Sequence, residues 1–427
     1  MSRKCLLVLL STSLVFPLLA GCLRRETKEI TTLAWWITFS PDSDEYPTFQ
    51  ALAEAYTEKT GQAVELVSVP WDDIAPRGSV VTRLALAQES GAGPDLWGPV
   101  PHTWTGAFAQ GGQALAIQAE QIEDAGQYQD AAMRAGQFDG KQYALPVLMS
   151  SIGLIYNKTL VPDPPQTFKE LLDLVRDLTD ARSERWGLVL PLLSQYHVYL
   201  FIDGYGGYIF GRTGDAYDPG DIGLNNEGAV RGIKFLSDLY VKEKLFPESL
   251  VDRASMYEDA VRLFAEGRAA MLIDGPWALA EIAASDIDFG IAPFPSLLDG
   301  ADRPRPLSTV QVLYASAYSS QQDETLDLIN YLAGPESIPD LYQALGGAPV
   351  RRDVMRQSEF RGDWQAKAWQ DQAVTGVLLP NIPELDYVWS PWGQALDQAI
   401  PGLTPVQETL DSAVEQIRSY LEEDETP

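Results

Sequence analysis

The chain contains 427 residues, which is enough for two or three domains. Its hydrophobic content of 45% and charged content of 21% are those of a globular protein and argue against a disordered, collagen-like or coiled-coil chain. The formal net charge of −29 opposes binding to nucleic acid, and with only two Cys and two His residues a Cys/His metal cluster is not expected.

The N-terminus has the pattern of a secreted lipoprotein. Arg3 and Lys4 form a short basic region, and the apolar stretch 5–19 is too short to span a membrane. Residues 19–22 read Leu-Ala-Gly-Cys, which resembles the lipobox of bacterial lipoproteins. An ordinary signal peptide followed by a chance cysteine is the alternative.

From this pattern we expect residues 1–21 to be a signal peptide and the Cys22 thiol to carry a diacylglycerol. Residues 22–32 would then form a lipidated tether. No later stretch is apolar for eighteen residues, so the sequence predicts anchoring by lipid on the outer face of a bacterial membrane, at the cell surface or in the periplasm.

Strands and helices alternate after the tether. Residues 33–37 predict a buried strand, a helical pattern of apolar residues ends at Gly61, and residues 64–67 predict a second strand. A strand, a helix and a strand within forty residues indicate a βαβ unit with parallel strands. Another strand is predicted to start after Gly93-Pro94-Asp95.

The alternation continues in the rest of the chain. Residues 143–156 form a long, mostly apolar extended stretch, and Thr167 with Glu170 makes a capping box at a helix start. Asn226 is a candidate helix cap, and apolar residues in 257–264, including Tyr257, are expected to share one helix face. The strand 269–273 then ends at Asp274-Gly-Pro-Trp277. We therefore expect two α/β lobes.

A membrane-anchored extracellular enzyme such as a glycosidase is one interpretation. His102 and His197 lie in no hydrolase or zinc-protease motif, and we interpret both as surface or capping residues. Asp215, Asp218 and Asp221 could bind Ca²⁺, but they lack the EF-hand spacing, and a solvated loop is favoured. The sequence therefore predicts neither catalysis nor a metal or cofactor.

The aromatic residues point to another chemistry. A sugar presents apolar C–H faces, and an indole or phenol ring stacks on such a face while polar groups bind the hydroxyls. Trp186 and Trp364 suit a core position. Five other aromatic residues lie near turns, where a sugar-binding cleft needs them: Trp104, Tyr196, Trp277, Trp389 and Trp392.

Seven short motifs then follow in a fixed order. They are Thr60-Gly61, Gly93-Pro94-Asp95, Ile-Tyr-Asn-Lys at 155–158, Pro164-Pro165 ahead of Thr167, Asp-Gly-Tyr-Gly-Gly-Tyr at 203–208, Asp-Gly-Pro-Trp at 274–277 and Leu-Pro-Asn-Ile-Pro at 379–383. With them the chain resembles the maltose/maltodextrin-binding proteins, the extracellular solute-binding subunits of ABC sugar importers, over nearly its whole mature length.

The resemblance implies the two-lobed, type II periplasmic-binding-protein fold. Each lobe would be a mainly parallel sheet flanked by helices, with the ligand bound between the lobes at a hinge. The first lobe would comprise 33–147 plus 310–348, and the second 151–306 plus 352–427. It further implies a monomeric receptor that captures an oligosaccharide and delivers it to ABC permease subunits. The same fold binding another sugar or a polyol is the alternative.

The resemblance also implies which aromatic residues contact the sugar. Trp277 matches the family's stacking tryptophan, Trp389 matches the tryptophan after the Pro-Asn-Ile-Pro motif, and Tyr196 matches the cleft tyrosine. Trp36 falls on the first-strand tryptophan. Trp104 stands in the loop where the maltose binders carry His-Asp-Arg.

Several polar positions of the family differ in this chain. Ser150 replaces the family's cleft glutamate, and Gly393 replaces the arginine after the stacking tryptophan. Asp274 is a candidate for the missing hydrogen bond. Glu384 and Asp386 are further candidates, although a solvated position is favoured for each. The aromatic residues persist while the polar rim differs, which supports a sugar ligand but leaves maltose itself open.

Overall fold

The computed structural model describes residues 31–69, 79–214, 216–296 and 303–424. The predicted signal peptide 1–21, Cys22 and Asp215 lie outside these ranges. The strands are β1 (Leu33–Ile37), β2 (Val64–Ser68), β3 (Leu96–Pro101), β4 (Gln137–Phe138), β5 (Lys141–Gln142), β6 (Ala144–Ser151), β7 (Gly153–Asn157), β8 (Phe210–Thr213), β9 (Ala216–Ile222), β10 (Met271–Asp274), β11 (Phe289–Ala292), β12 (Leu307–Ala315), β13 (Ala348–Pro349) and β14 (Val377–Leu378).

Helices separate most of these strands. They are α1 (Tyr46–Thr60), α2 (Ser79–Glu89), α3 (Thr105–Gln110), α4 (Asp130–Ala135), α5 (Phe168–Leu178), α6 (Gln195–Gly204), α7 (Glu227–Val241), α8 (Met256–Ala265), α9 (Leu279–Ala283), α10 (Gln322–Leu332), α11 (Ile338–Leu345), α12 (Trp364–Thr375), α13 (Asp386–Ala399) and α14 (Val406–Asp424).

The larger sheet has seven strands in the order β13-β6-β12-β3-β1-β2, with β14 paired to β12. β1 runs parallel to β2 and β3, which confirms the predicted βαβ unit. β12 runs antiparallel to both β3 and β6. The sheet is therefore mixed rather than mainly parallel.

The smaller sheet has the order β10-β7-β11, and both neighbours of β7 run antiparallel to it. Only Ile152 separates β7 from β6, so the chain runs from the larger sheet directly into the smaller one. The stretch around 186–189 adds parallel bridges from Trp186 to Ala269 and from Val189 to Leu272. The expectation of mainly parallel strands is corrected here too.

The buried apolar side chains form two clusters, one built mainly around the larger sheet and one around the smaller sheet. Core 1 includes Trp35, Phe49 and Tyr314, and core 2 includes Ile155 and Phe201. The chain passes between the cores at β6, β12 and β13. At each place one residue belongs to core 1 and a residue two or three positions away belongs to core 2; in this order, the pairs are Met149 and Ile152, Val310 and Leu307, and Val350 and Ala348.

The residues after β13 contribute to both cores, whereas the prediction assigned 352–427 to the second lobe alone. Val354, Phe360 and Ala366 belong to core 1. Trp369, on the same helix as Ala366, belongs to core 2. Helix α12 thus packs against both cores, and the lobe boundaries themselves stay a prediction.

Local signals for helix starts are confirmed. Thr167 and Glu170 form a reciprocal capping box at α5, and the Asn226 side chain accepts the Ala229 N–H at the start of α7. Trp364 is 46% exposed, so the prediction of a core position for it is wrong, and Tyr257, at 48% exposed, is not buried with Ala260 and Phe264 of the same helix. In the described part of the chain, no helix combines the length and the apolar composition needed to cross a membrane.

Candidate functional site

A cleft of about 840 Å³ opens where the chain passes between the two cores. This volume lies in the usual range for small-molecule sites. Its walls come from the segment after β1, from β3, from the end of β6, from the first half of β12, from the starts of α6 and α8, from the turn after β10, and from α11 and α12. Segments that are far apart in sequence therefore meet around one cavity.

One side of the cleft is an aromatic wall formed by Tyr196, His197, Tyr257 and Trp277. The ring centroids of Tyr196 and Trp277 are 6.1 Å apart, and those of His197 and Tyr257 are 5.9 Å apart. Trp277 is 49% exposed and Tyr257 is 48% exposed. Such half-exposed rings offer a flat apolar surface to a ligand.

A buried hydrogen-bond network holds the aromatic wall in place. His197 Nε2 lies 3.2 Å from Asp274 Oδ1, and His197 Nδ1 lies 2.8 Å from Ser194 Oγ. Asp274 Oδ1 also accepts the Gly275 N–H at 2.7 Å, at the start of the turn that carries Trp277. Asp274 is 1% exposed, so it supports the wall from behind and does not line the cleft.

The Tyr196 phenol connects the aromatic wall to the strands that pass between the cores. Its hydroxyl donates to the Ser150 carbonyl at 3.4 Å and accepts from Thr309 Oγ1 at 3.5 Å, both long hydrogen bonds. Burial raises the pKa of Tyr196, with a smaller opposing contribution from Thr309. The phenol therefore stays protonated and uncharged at neutral pH.

The rest of the cleft lining mixes apolar residues with uncharged amides. The amides belong to Gln311, Gln343 and Gln365, and Glu45 is the only carboxylate among the lining residues. The Tyr342 hydroxyl donates to Asp363 Oδ2 at 2.8 Å and ties α11 to α12. A cleft lined by both aromatic rings and amides can bind a ligand that has both an apolar face and hydroxyl groups.

Three of the eight predicted ligand-contacting residues line the cleft: Trp277, Tyr196 and Ser150. Trp36 lines a separate cavity of about 30 Å³. Trp104 packs edge-on against Phe108, with ring centroids 6.3 Å apart, beside core 1. The structure does not bring these two tryptophans to the cleft.

Trp389 and Trp392 also lie away from the cleft lining. Trp392 is fully buried, because helix α13 places it on one face with Val388 and Leu396 in core 2. The Trp389 ring stacks on it at 6.1 Å and 16°. The predicted ligand contact of Trp392 is therefore replaced by a core position, and that of Trp389 is not supported by the lining of the cleft.

Both histidines are buried, so their interpretation as surface or capping residues is wrong. His102 Nδ1 accepts the Val310 N–H at 3.1 Å, which leaves Nε2 to donate to the Leu379 carbonyl at 3.0 Å. Burial lowers the pKa of His102 to about 4. Among the described ranges, no group of three His, Cys, Asp or Glu residues is arranged to hold a metal ion.

Sequence reasoning missed Tyr257, Tyr342, Gln311 and Gln365. Tyr257 sits one residue into α8, where its spacing with buried Ala260 resembled a core stripe. The glutamines carry no local signal, since an isolated amide has no motif. Their position becomes evident only when the strands and helices are assembled.

Comparison with solved structures identifies the class of fold. The chain superposes on a cyclo/maltodextrin-binding protein complexed with maltotetraose with a TM-score of 0.79 and 28% sequence identity, covering 91% of this chain and 97% of the other. The fold is therefore the type II periplasmic-binding-protein fold, in which a mixed α/β chain surrounds an interlobe cleft.

Sequence comparison gives the family. The model of the bacterial extracellular solute-binding proteins matches residues 40–338, and the chain belongs to that family. A maltotriose-binding protein of Pyrococcus abyssi is 28% identical, covering 91% of this chain and 82% of its own length. A galactooligosaccharide-binding protein of Bacillus subtilis is 26% identical, covering 99% and 98%.

Proposed function

We propose that this protein is the extracytoplasmic receptor of an ABC importer and captures an oligosaccharide of the maltodextrin type. The observation that carries the proposal is the aromatic wall, where Trp277 and Tyr257 are about half exposed beside Tyr196 in a cleft between two cores. The maltotriose-binding relative and the solved maltotetraose complex favour a glucose oligomer.

Binding would proceed by closure of two lobes about the strands that join them. A sugar ring stacked on Trp277 would also hydrogen-bond to groups across the cleft, so the closed arrangement binds it better and becomes more populated. Closure removes water, which strengthens the remaining electrostatic contacts. The closed receptor, acting as a monomer, would then deliver the sugar to the permease subunits in the membrane.

Attachment to the membrane would come from a lipid on Cys22. The Leu-Ala-Gly-Cys sequence at 19–22 supports this, and replacing the thiol would prevent the thioether from forming. We expect Cys22→Ala to move the protein from the membrane fraction of the producing bacterium to the soluble or secreted fraction. Retention of Cys22→Ala in the membrane fraction would show that another segment provides the anchor.

A thermal-shift and calorimetric panel tests the ligand class. Maltose, maltotriose, maltotetraose, a galactooligosaccharide and sorbitol would each be added to the purified protein. A micromolar ligand corresponds to about −8 kcal/mol, and saturation at a hundredfold excess over Kd adds about 2.7 kcal/mol to stability. A stabilising effect of maltotriose alone or with its homologues supports the proposal, whereas a preference for the galactooligosaccharide or sorbitol assigns another ligand.

A membrane-anchored glycosidase is the alternative of a different class. Hydrolysis of a glycosidic bond generally needs two carboxyl groups that flank it, and among the described lining residues the cleft presents only Glu45. Asp274, an acidic residue next to the cleft, is buried behind the wall and bonded to His197 and Gly275. Incubation with maltotriose followed by chromatography should therefore recover intact sugar, and shortened products would establish an enzyme.

A further inference from the structure

Gln311 occupies the centre of the larger sheet, at the floor of the cleft. It lies on β12, which runs between β3 and β6, and pairs with Pro101 on one side and Leu148 on the other. Both partners are apolar. An amide at this position cannot be explained as part of a solvated loop or a helix surface.

The geometry of β12 directs this amide into the cleft. Successive side chains of a strand point to opposite faces, and Thr309 and Gln311 both line the cleft whereas Val310 and Val312 are fully buried in core 1. The register with β6 shifts directly after Gln311, and the register with β3 shifts just beyond, after Val312. Such irregularities redirect side chains next to functional sites.

Gln311 lies close to the base of the aromatic wall. Thr309, two residues earlier on the same strand face, donates to the Tyr196 hydroxyl at 3.5 Å. Two residues along a strand span about 7 Å, roughly the width of a sugar ring with its hydroxyls. A ring stacked on the wall would thus present its edge to the Gln311 amide.

The Gln311 amide has no hydrogen-bond partner among the described residues, although Gln88, Gln142 and Gln195 use their amides to bind protein groups. A polar group withdrawn from water without a partner costs free energy. Closure of the cleft would impose that cost unless the ligand supplies the partner. An amide both donates and accepts, as a sugar hydroxyl does.

We propose that Gln311 is a specificity-determining residue that hydrogen-bonds a hydroxyl of the sugar ring stacked on the aromatic wall. This inference rests on the proposed function and assigns the polar contact at the cleft floor to a residue of this chain. A ligand lacking a hydroxyl at that edge would leave the amide unpaired in the closed protein. The contact is uncharged, so it selects for neutral sugar hydroxyls without depending on pH or salt.

The test replaces Gln311 with methionine, which keeps the length of the side chain and removes both hydrogen-bonding groups. We expect Gln311→Met to weaken maltotriose binding roughly tenfold in isothermal titration, with a less favourable binding enthalpy. The melting temperature of the ligand-free protein should not fall, because the change places an apolar side chain beside Pro101 and Leu148. Gln50→Met, at an exposed amide of α1 outside the cleft, is the matched control and should bind as the original protein does.

The outcomes separate this inference from the proposed function. If the unaltered protein binds no maltooligosaccharide, the proposed function fails. If it binds maltotriose and Gln311→Met binds equally well, the proposed function stands and the assignment of Gln311 is overturned. A loss of affinity accompanied by a lower melting temperature of the ligand-free Gln311→Met protein would indicate a structural role for Gln311. That result also overturns the assignment.

Discussion

The His197 imidazole and the Asp274 carboxylate form a buried pair, with Nε2 3.2 Å from Oδ1 and both side chains at most 3% exposed. The His197 ring stands edge-on to Trp277, with centroids 6.4 Å apart. Because Asp274 also accepts the Gly275 N–H, the pair fixes both a ring of the aromatic wall and the turn that carries Trp277. Asp274 would therefore affect a ligand on the aromatic wall only through these neighbours.

Removing the Asp274 carboxylate should affect both stability and binding. Asp274→Ala leaves His197 and the Gly275 N–H without their acceptor, and we expect the free energy of unfolding to fall by about 1–3 kcal/mol. Maltotriose affinity should fall as well, because the Trp277 turn loses its anchor. Urea denaturation and titration calorimetry measure the two effects.

The matched control for Asp274 is Asp288, which pairs with Lys158 at 2.8 Å but has a side chain that is 72% exposed. Exposed pairs contribute no more than about 1 kcal/mol, so Asp288→Ala should leave binding unchanged and stability nearly so. Equal losses in the two variants would show that the Asp274 network does not support the wall.

Two tryptophans predicted to bind the ligand should respond in opposite ways to truncation. Trp277→Ala removes a half-exposed ring from the cleft and should weaken binding by about 1–3 kcal/mol, by analogy with the stacking of nucleic-acid bases on aromatic side chains. Its melting temperature should change little. Trp392→Ala empties a fully buried site and should lower stability by about 3–5 kcal/mol.

Calorimetry with maltotriose and thermal denaturation distinguish the two variants. The folded fraction of Trp392→Ala, measured below its melting temperature, should keep its affinity. If Trp277→Ala binds maltotriose as tightly as the original protein, the aromatic wall is not the sugar platform.

A side chain at Gly347 would collide with β6, one of the strands that pass between the cores. It has a φ of 91°, and a Cβ added there would lie 2.7 Å from the Met149 carbonyl oxygen and 2.9 Å from Ser150 Oγ. Gly347→Ala should therefore destabilise the fold by the roughly 1–2 kcal/mol of a positive φ and by a further steric penalty. It should also weaken binding, since Gly347 and Ser150 line the cleft.

Gly112 provides the control for backbone strain. Its φ is 69°, and no atom lies within 4 Å of an added Cβ. Gly112→Ala should lose only the contribution of the positive φ, as measured by urea denaturation. Equal destabilisation of the two variants would mean that the backbone and side chain around Ser150 move to accommodate the new Cβ without a measurable loss of unfolding free energy.

Acid should destabilise the protein through His102. Its pKa is lowered by burial to about 4 in the folded state, whereas an unfolded histidine titrates near 6.5. Between these values the unfolded chain binds more protons, so this contribution to stability is complete above about pH 6.5 and is lost as the pH falls toward 4. The slope is at most about 1.4 kcal/mol per pH unit.

Denaturation between pH 4 and 7 checks this contribution by comparing the protein with His102→Gln. The glutamine cannot titrate, while the carboxylates elsewhere are common to both proteins. The variant should therefore show a shallower dependence of unfolding free energy on pH. Parallel curves would exclude His102 as a source of acid sensitivity.

Local patterns predicted the elements of the fold well, because capping boxes, helical spacing and strand-ending turns are encoded by nearby residues. Thr167 and Gly61 lie where those signals placed a helix start and a helix end. Whether two strands pair parallel or antiparallel is not encoded by nearby residues in the same way. β7 follows β6 almost at once, and the antiparallel return of β10 and β11 depends on how distant segments assemble.

The candidate site could be predicted only in part. Trp277 and Tyr196 lie next to recognisable motifs and do line the cleft. Trp389 and Trp392 were expected near a turn, but both lie on helix α13, which continues through Pro391, its sixth residue, although the proline removes one backbone hydrogen bond of the helix. Trp392 consequently follows the helical periodicity into core 2, and Trp389 stays half-buried against it.

The position of β12 between β3 and β6 has a consequence for how the chain is made. A ribosome releases β3 and β6 well before β12, and in the interval the nascent chain lacks the strand that both must pair with. Most residues of core 2, in contrast, lie between Ile152 and Phe294 and are synthesised before β12. Assembly of core 1 must therefore await the later part of the polypeptide, leaving two strand edges that invite mispairing until β12 arrives.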